Sequence, residues 1–300
     1  MDRRQIKIGI LYTFSAYLLW GFLTLYWKQI DYVPAGQILA HRIVWSCVFM
    51  LLLVIALGKW QAFIKECHAI LKDKRRLFGI TAAAIVISMN WFLFIWAVVS
   101  GHVLQASLGY YINPLISILL GIVILKESVS KGQIISFILA GAGVLYLTVS
   151  YGVFPWVSLL LAATFALYGL LKKTVNIGAI FGLTIETLIM VPLALIYLGM
   201  VSENSFTIQP MFTMTNLYLI GAGIATAVPL LLFSSGAKQI PLAMVGFLQY
   251  ITPTMMLVLG VFLFHEPFTQ AHLITFILIW TALFIYMASV YRRPKRKINK

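Results

Sequence analysis

Two ionisable side chains stand deep inside apolar stretches of this sequence: Arg42, beside His41 in ILAHRIVWS, and Glu186, in TIETLIMVPLALIYL. A charge held away from water is costly and ordinarily marks a pathway or a pair. Arg42, with His41, could engage a carboxylate or another polar group, or reach outward as an anchor. Glu186 could accept a proton or a substrate ammonium, or stay protonated as a hydrogen-bonded structural group. At similar depth lie the amides Asn90, Asn113 and Gln249 and the aromatic residues Trp20, Trp91, Tyr110, Tyr111, Tyr168 and Tyr250. Taken singly, each aromatic side chain fits packing or interfacial anchoring. Taken together with the two charges, they compose the lining of a mostly apolar pocket with a few orienting polar groups. The candidate substrate-binding set is therefore Glu186, Arg42, His41, Asn90, Tyr110, Tyr111, Asn113, Gln249, Tyr250, Trp20 and Trp91. No nucleophile and base share one depth. His102, His265 and His272 fall at span ends, and no His, Cys and carboxylate cluster has metal-ligand spacing. Neither a phosphate-binding loop nor a serine-hydrolase motif occurs. The expected chemistry is recognition without bond breaking: not an enzyme, no metal, no cofactor.

The elements that must position these residues follow from composition. Of 300 residues, 62% are hydrophobic and 10% charged, against about 45–50% and about 25% in an ordinary soluble domain. Too little charge remains to cover a water-facing surface, and the bilayer is the remaining solvent. Apolar stretches long enough to span it fall at about 8–27, 38–57, 77–99, 103–125, 132–150, 155–171, 177–198, 217–235, 241–264 and 271–290. The expected fold is all-α and integral to the membrane, with ten transmembrane helices. The net charge of +14 would suggest nucleic acid on a soluble protein. Here it reports orientation, because every Lys and Arg except Lys28 and Arg42 falls on one side when spans are crossed in turn. By the positive-inside rule both termini face the cytoplasm of a multi-pass inner (plasma) membrane protein, and no nucleic-acid partner is expected. The basic stretch 58–76 carries Trp60, Phe63, Ile64, Ile70 and Leu71 at helical spacing, as an interfacial helix lying on membrane lipid does. Cys47 and Cys67 are expected as free thiols.

The fourth and ninth stretches repeat each other at an offset of 139: Tyr111-Ile112-Asn113-Pro114 aligns with Tyr250-Ile251-Thr252-Pro253, Gly121 with Gly260, and Glu127 with Glu266. A weaker echo pairs Trp20-Gly21 with Tyr168-Gly169. The halves are thus 8–150 and 155–290, five spans each. Five is odd, so the second half enters the membrane from the other side and the repeat is inverted, the architecture of alternating-access transporters. Pro114 and Pro253 each free a carbonyl four residues earlier, and with Gly121 and Gly260, which permit close helix approach, they are the candidate helix breaks and hinges.

The segments AYLLWGFLTLYWK, ILAHRIVWS, NWFLFIWAV, SLGYYINP, ALYGLLKK, TIETLIMVPLALIYL, TAVPLLLF and LQYITPT together resemble the RarD group of EamA-domain permeases in the drug/metabolite transporter superfamily. The resemblance covers nearly the whole chain. It implies ten helices in two inverted five-helix EamA repeats, a central cavity, residence in the bacterial inner membrane and a permease function. The chain departs from that pattern at Gln37 and Gln105, where Glu is common, so if Glu there carries protons in relatives, this chain must use Glu186 or couple differently. The first span lacks the Glu on which small multidrug transporters rely, which leaves neutral, zwitterionic or anionic metabolites the better-suited substrates.

The expected function is secondary transport of a small metabolite or drug by alternating access, with a small-molecule substrate, membrane lipid and a proton or other coupling ion as partners. The alternative is a substrate-gated channel or a membrane receptor using the same pocket.

Overall fold

The computed structural model describes residues 3–99, 103–152, 154–207, 209–263 and 269–291. Among them every regular element is a helix: α1 (Arg3–Lys28), α2 (Ala35–Ala56), α3 (Trp60–Lys72), α4 (Lys74–Val99), α5 (Val103–Val123), α6 (Lys131–Tyr151), α7 (Trp156–Thr174), α8 (Ala179–Met200), α9 (Met214–Gln239), α10 (Leu242–Gln249), α11 (Ile251–Phe262) and α12 (Gln270–Tyr291). Helices are what a chain crossing lipid must form, because the backbone N–H and C=O groups find no water there. Nine described segments are long and apolar enough to cross, one of them the joined pair α10–α11, and Leu108–Val123 of α5 is the shorter tenth. The exterior fits that solvent: Leu11, Phe78, Leu145 and Phe284 are each more than 60% exposed, intolerable in water as a continuous belt but ordinary against acyl chains.

Helix ends are set locally. Ser130 and Gln133 form a reciprocal capping box at the start of α6, and the Asp73 carboxylate accepts from the Arg75 and Arg76 amides at the start of α4. The short α3 buries Phe63 and Ile70 and leaves Lys65, Lys72 and Leu71 exposed, a two-sided surface suited to the bilayer interface. The ninth span, read from sequence as continuous, is broken between α10 and α11. Pro253 has no N–H to offer the Gln249 carbonyl, and the helix stops at Gln249 and restarts at Ile251. Pro114 sits inside an unbroken α5, so the two aligned prolines act differently.

Packing follows the repeat. Exchanging the halves carries α1 to α7, α2 to α8, α4 to α9, α5 to α10–α11 and α6 to α12. Under that exchange the α1–α9 contact becomes α7–α4, α1 with α10–α11 becomes α7 with α5, and α2–α9 becomes α8–α4, while α2–α8, α5–α10 and α6–α12 map onto themselves; all are present. Small residues let these pairs close. A Cβ on Gly246 would stand 2.7 Å from the Pro114 carbonyl oxygen, and one on Gly223 would collide with the backbone of Trp45. Gly223→Val is therefore expected to cost about 1–3 kcal/mol through forced separation of α2 and α9, read as a lower melting temperature of the detergent-solubilised protein. Gly141→Ala, where an added Cβ meets nothing within 4 Å, should leave it unchanged.

Candidate functional site

Arg42 lies seven residues into α2. Its Nε donates to Thr226 Oγ1 of α9 at 2.9 Å, and its guanidinium carbon lies 4.7 Å from the ring centroid of Trp27 and 5.0 Å from that of Trp91. Indoles from α1 and α4 thus both lie against the cation, and their faces attract it electrostatically. Around it is a cavity of about 170 Å³, walled by Tyr17, Trp20 and Trp27 of α1, Asn90, Trp91 and Phe94 of α4, Gly109, Tyr110 and Asn113 of α5, Leu161 and Phe165 of α7, Thr226 and Leu230 of α9, Gln249 of α10, and Thr252 and Met256 of α11. Both halves of the chain contribute, which is where an inverted repeat places a substrate site.

Seven of the expected binding residues meet at this cavity: Arg42, Asn90, Tyr110, Asn113, Gln249, Trp20 and Trp91. Asn90 spends its amide N–H groups on α7, donating to Leu161 O at 2.8 Å and Thr164 Oγ1 at 2.9 Å. Asn90→Leu should accordingly cost about 1–2 kcal/mol, the worth of one or two hydrogen bonds, seen as a lowered melting temperature. The other four stand elsewhere. His41 turns away from the cavity, its Nε2 3.2 Å from Asn204 Oδ1 and its ring stacked on Phe206. Tyr111 packs against the core, and Tyr250 is fully buried at the helix break. Glu186 is bound by two groups of α7: Lys172 Nζ donates to Oε1 at 2.7 Å and the Tyr168 hydroxyl donates to Oε2 at 3.0 Å. Its carboxylate faces Lys172 and is not part of the cavity lining, so Lys172 holds the place expected for a substrate ammonium. Gln37 is a tie to the 201–213 connection, its amide donating to Glu203 O and accepting from the Ser205 amide, each at 2.7 Å. The Gln105 side chain, His102, His265 and Glu266 lie outside the described residues.

Lys172 was invisible as a partner because it sits where the apolar run ends and reads as a loop base. Its i, i+4 spacing from Tyr168 is the signal that places both on one face of α7. Trp27 reads as an interfacial anchor, and Thr226 carries no sequence signal that links it to Arg42.

Toward the end of the bundle that carries most Lys and Arg, aromatic side chains pack against the cavity. Tyr17, Trp20, Phe165, Tyr168 and Phe233 form a cluster with ring centroids 5.5–6.3 Å apart. Beyond it the Glu127 carboxylate, in the connection after α5, accepts from the Leu242 amide at 2.7 Å and the Ala243 amide at 3.0 Å. These are the first N–H groups of α10, where the helix dipole favours an anion. Lys173 Nζ is 3.8 Å from Glu127 and also donates to the Ile240 carbonyl, and Lys238 donates to the Ile177 carbonyl. All three ion pairs among the described residues, Arg76 with Glu66, Lys172 with Glu186 and Lys173 with Glu127, lie at this basic end. A Cβ at Gly121 would stand 2.7 Å from Glu127 Oε2 and 2.9 Å from the Ala243 nitrogen, so glycine there is what lets the carboxylate reach α10.

The model of the EamA-like transporter family matches residues 7–149. Uncharacterized transporter YojE of Bacillus subtilis (strain 168) is 45% identical over 292 residues, 96% of each chain. Protein RarD of Escherichia coli (strain K12) is 41% identical over 297 residues, 99% of each chain. A solved crystal structure with 17% sequence identity superposes with a TM-score of 0.74 over 95% of this chain and 99% of its own, a likeness of fold.

Proposed function

The chain belongs to the EamA-like transporter family, in its RarD group, and from that premise we propose that this membrane transporter moves a small metabolite or drug across the bacterial inner membrane by alternating access. The observation that carries the reading is a cavity lined by both halves with every described ion pair on one side of it. Arg42, Asn90, Tyr110, Asn113, Gln249, Trp20 and Trp91 contact the substrate. His41, Tyr111 and Tyr250 hold the surrounding helices. The basic end faces the cytoplasm, with both termini, by the positive-inside rule, and the two repeats span about 8–150 and 155–290.

In this reading the ties of Glu127, Lys173 and Lys238 keep the cytoplasmic end shut while the cavity communicates with the other side. Glu186 takes the coupling proton: protonation would remove the partner of buried Lys172, and the cost of that stranded ammonium links proton binding to movement of α7 against α8. Pro253, at the α10–α11 break, serves as a hinge, and Gly121 lies against the start of α10. Reconstituted liposomes test the proposal. A carrier gives saturable flux that is accelerated by substrate on the trans side, whereas flux that rises linearly with concentration and ignores trans substrate belongs to a channel and would refute it.

A further inference from the structure

The cavity holds one formal charge and no carboxylate. Among its lining residues there is no Asp, Glu, Lys or His besides the single Arg42, and the ion pairs among the described residues engage Arg76, Lys172 and Lys173. The guanidinium is held by three residues: Nε donates to Thr226, and the rings of Trp27 and Trp91 both lie against the cation. What is left is the edge bearing Nη1 and Nη2, which make no hydrogen bond among the described residues. That edge is a preorganised fork whose spacing matches the two oxygens of a carboxylate.

Three further lining groups lack partners, the Tyr17 hydroxyl among them. Asn113 and Gln249 are 5% and 4% exposed and line the same cavity, and Asn113 Oδ1 and Gln249 Oε1 accept no hydrogen bond. Buried acceptors of this kind are nearly always satisfied, and an uncharged O–H or N–H on an occupant would satisfy them once either amide turns toward the cavity. An ammonium would supply one but would add a second positive charge to a cavity that has no acid to balance it. A dianion would leave a net negative charge where only one cation stands. The remaining surface is aromatic and apolar, and about 170 Å³ is close to the roughly 150 Å³ that accommodates a benzene-sized body.

We infer that this cavity selects a small organic monocarboxylate, its carboxylate on the Arg42 fork, its compact apolar body of about one ring between the aromatic walls, and an uncharged hydroxyl or N–H donating to Asn113 or Gln249. The inference rests on reading this cavity as the transport site, and it adds the chemistry of what is carried.

Calorimetric titration of the full chain in lipid nanodiscs at neutral pH tests it, with para-hydroxybenzoate as the probe. The isosteric neutral para-hydroxybenzamide, the cationic para-hydroxybenzylamine and benzoate, which lacks the donor, are the comparisons. The carboxylate is expected to bind at least about tenfold more tightly than the amide or the amine, and benzoate several-fold more weakly than para-hydroxybenzoate. Arg42→Gln should erase the preference for charge. Should that variant fail to fold, Thr226→Val, which releases Nε and lets the fork swing, should weaken carboxylate binding several-fold at unchanged melting temperature. Asn113→Leu should close the gap between benzoate and its hydroxylated form. Equal or tighter binding of the amide or amine, no saturable binding of either carboxylate, or a preference that survives Arg42→Gln would overturn the inference. Carboxylate-selective binding without trans-stimulated flux would leave it standing and remove the transport reading. Trans-stimulated flux of the amine without carboxylate selectivity would do the reverse.

Discussion

Replacing Glu186 by Ala while Lys172 stays in place is expected to lower stability by about 3–5 kcal/mol, the usual cost of stripping one partner from a buried ion pair. The two side chains are 3% and 4% exposed, and their surroundings include Ile80, Ala83 and Leu171, which offer an ammonium nothing. The Tyr168 hydroxyl would lose its acceptor at the same stroke. Size-exclusion profiles of heated, detergent-solubilised protein read the effect as a large drop in melting temperature. The paired replacement Lys172→Met with Glu186→Leu should recover most of it, because hydrophobic substitution of a whole buried pair is commonly neutral or stabilising. That stable double variant should still transport without proton coupling. An unchanged melting temperature for Glu186→Ala would mean that the pair does not hold α7 to α8.

Loss of the Glu127 carboxylate should act on conformation more than on folding. Glu127→Ala removes two charge-assisted hydrogen bonds from the start of α10 and one cation partner. Each such bond is worth about 1.5–3 kcal/mol, and part of the loss is recovered when water reaches the freed amides. A net shift of about 2–4 kcal/mol against the closed basic end would change the ratio of closed to open by roughly thirty- to several-hundredfold. Labelling of the cavity from the basic side should quicken accordingly, with little change in melting temperature. Gly121→Val should mimic it, since its side chain would occupy the space of the carboxylate. If Glu127→Ala labels like the unaltered protein, the seal resides in the aromatic cluster alone.

What could be read beforehand depended on whether a residue violated its surroundings. Arg42 stood out because a base in an apolar run is anomalous, and the aromatic and amide residues at its depth gathered around the same cavity. Glu186 stood out for the same reason, but its destination did not, because Lys172 looked like one more base at the end of a span. The number of spans was legible, since 62% apolar composition and segregated bases both constrain it. The break at Tyr250 was not, as Pro114 and Pro253 sit in equivalent sequence and only α10–α11 separates. Glu127 was recognisable as half of a repeated pair, yet its acceptor role was hidden, because its partners are backbone amides 115 and 116 residues away that any side chain could have carried.

Alternating access means that one cavity is reached from two sides in turn. Leu230 lines it, and Leu230→Cys in a Cys47→Ala, Cys67→Ser background puts one thiol there for a membrane-impermeant maleimide applied to right-side-out and inside-out vesicles. Alternating access predicts labelling mainly from the side opposite the basic end in the unaltered sequence, and a switch toward the basic side, with the first side protected, when Glu127→Ala is added. Equal, simultaneous labelling from both sides, unmoved by Glu127→Ala, would contradict the account.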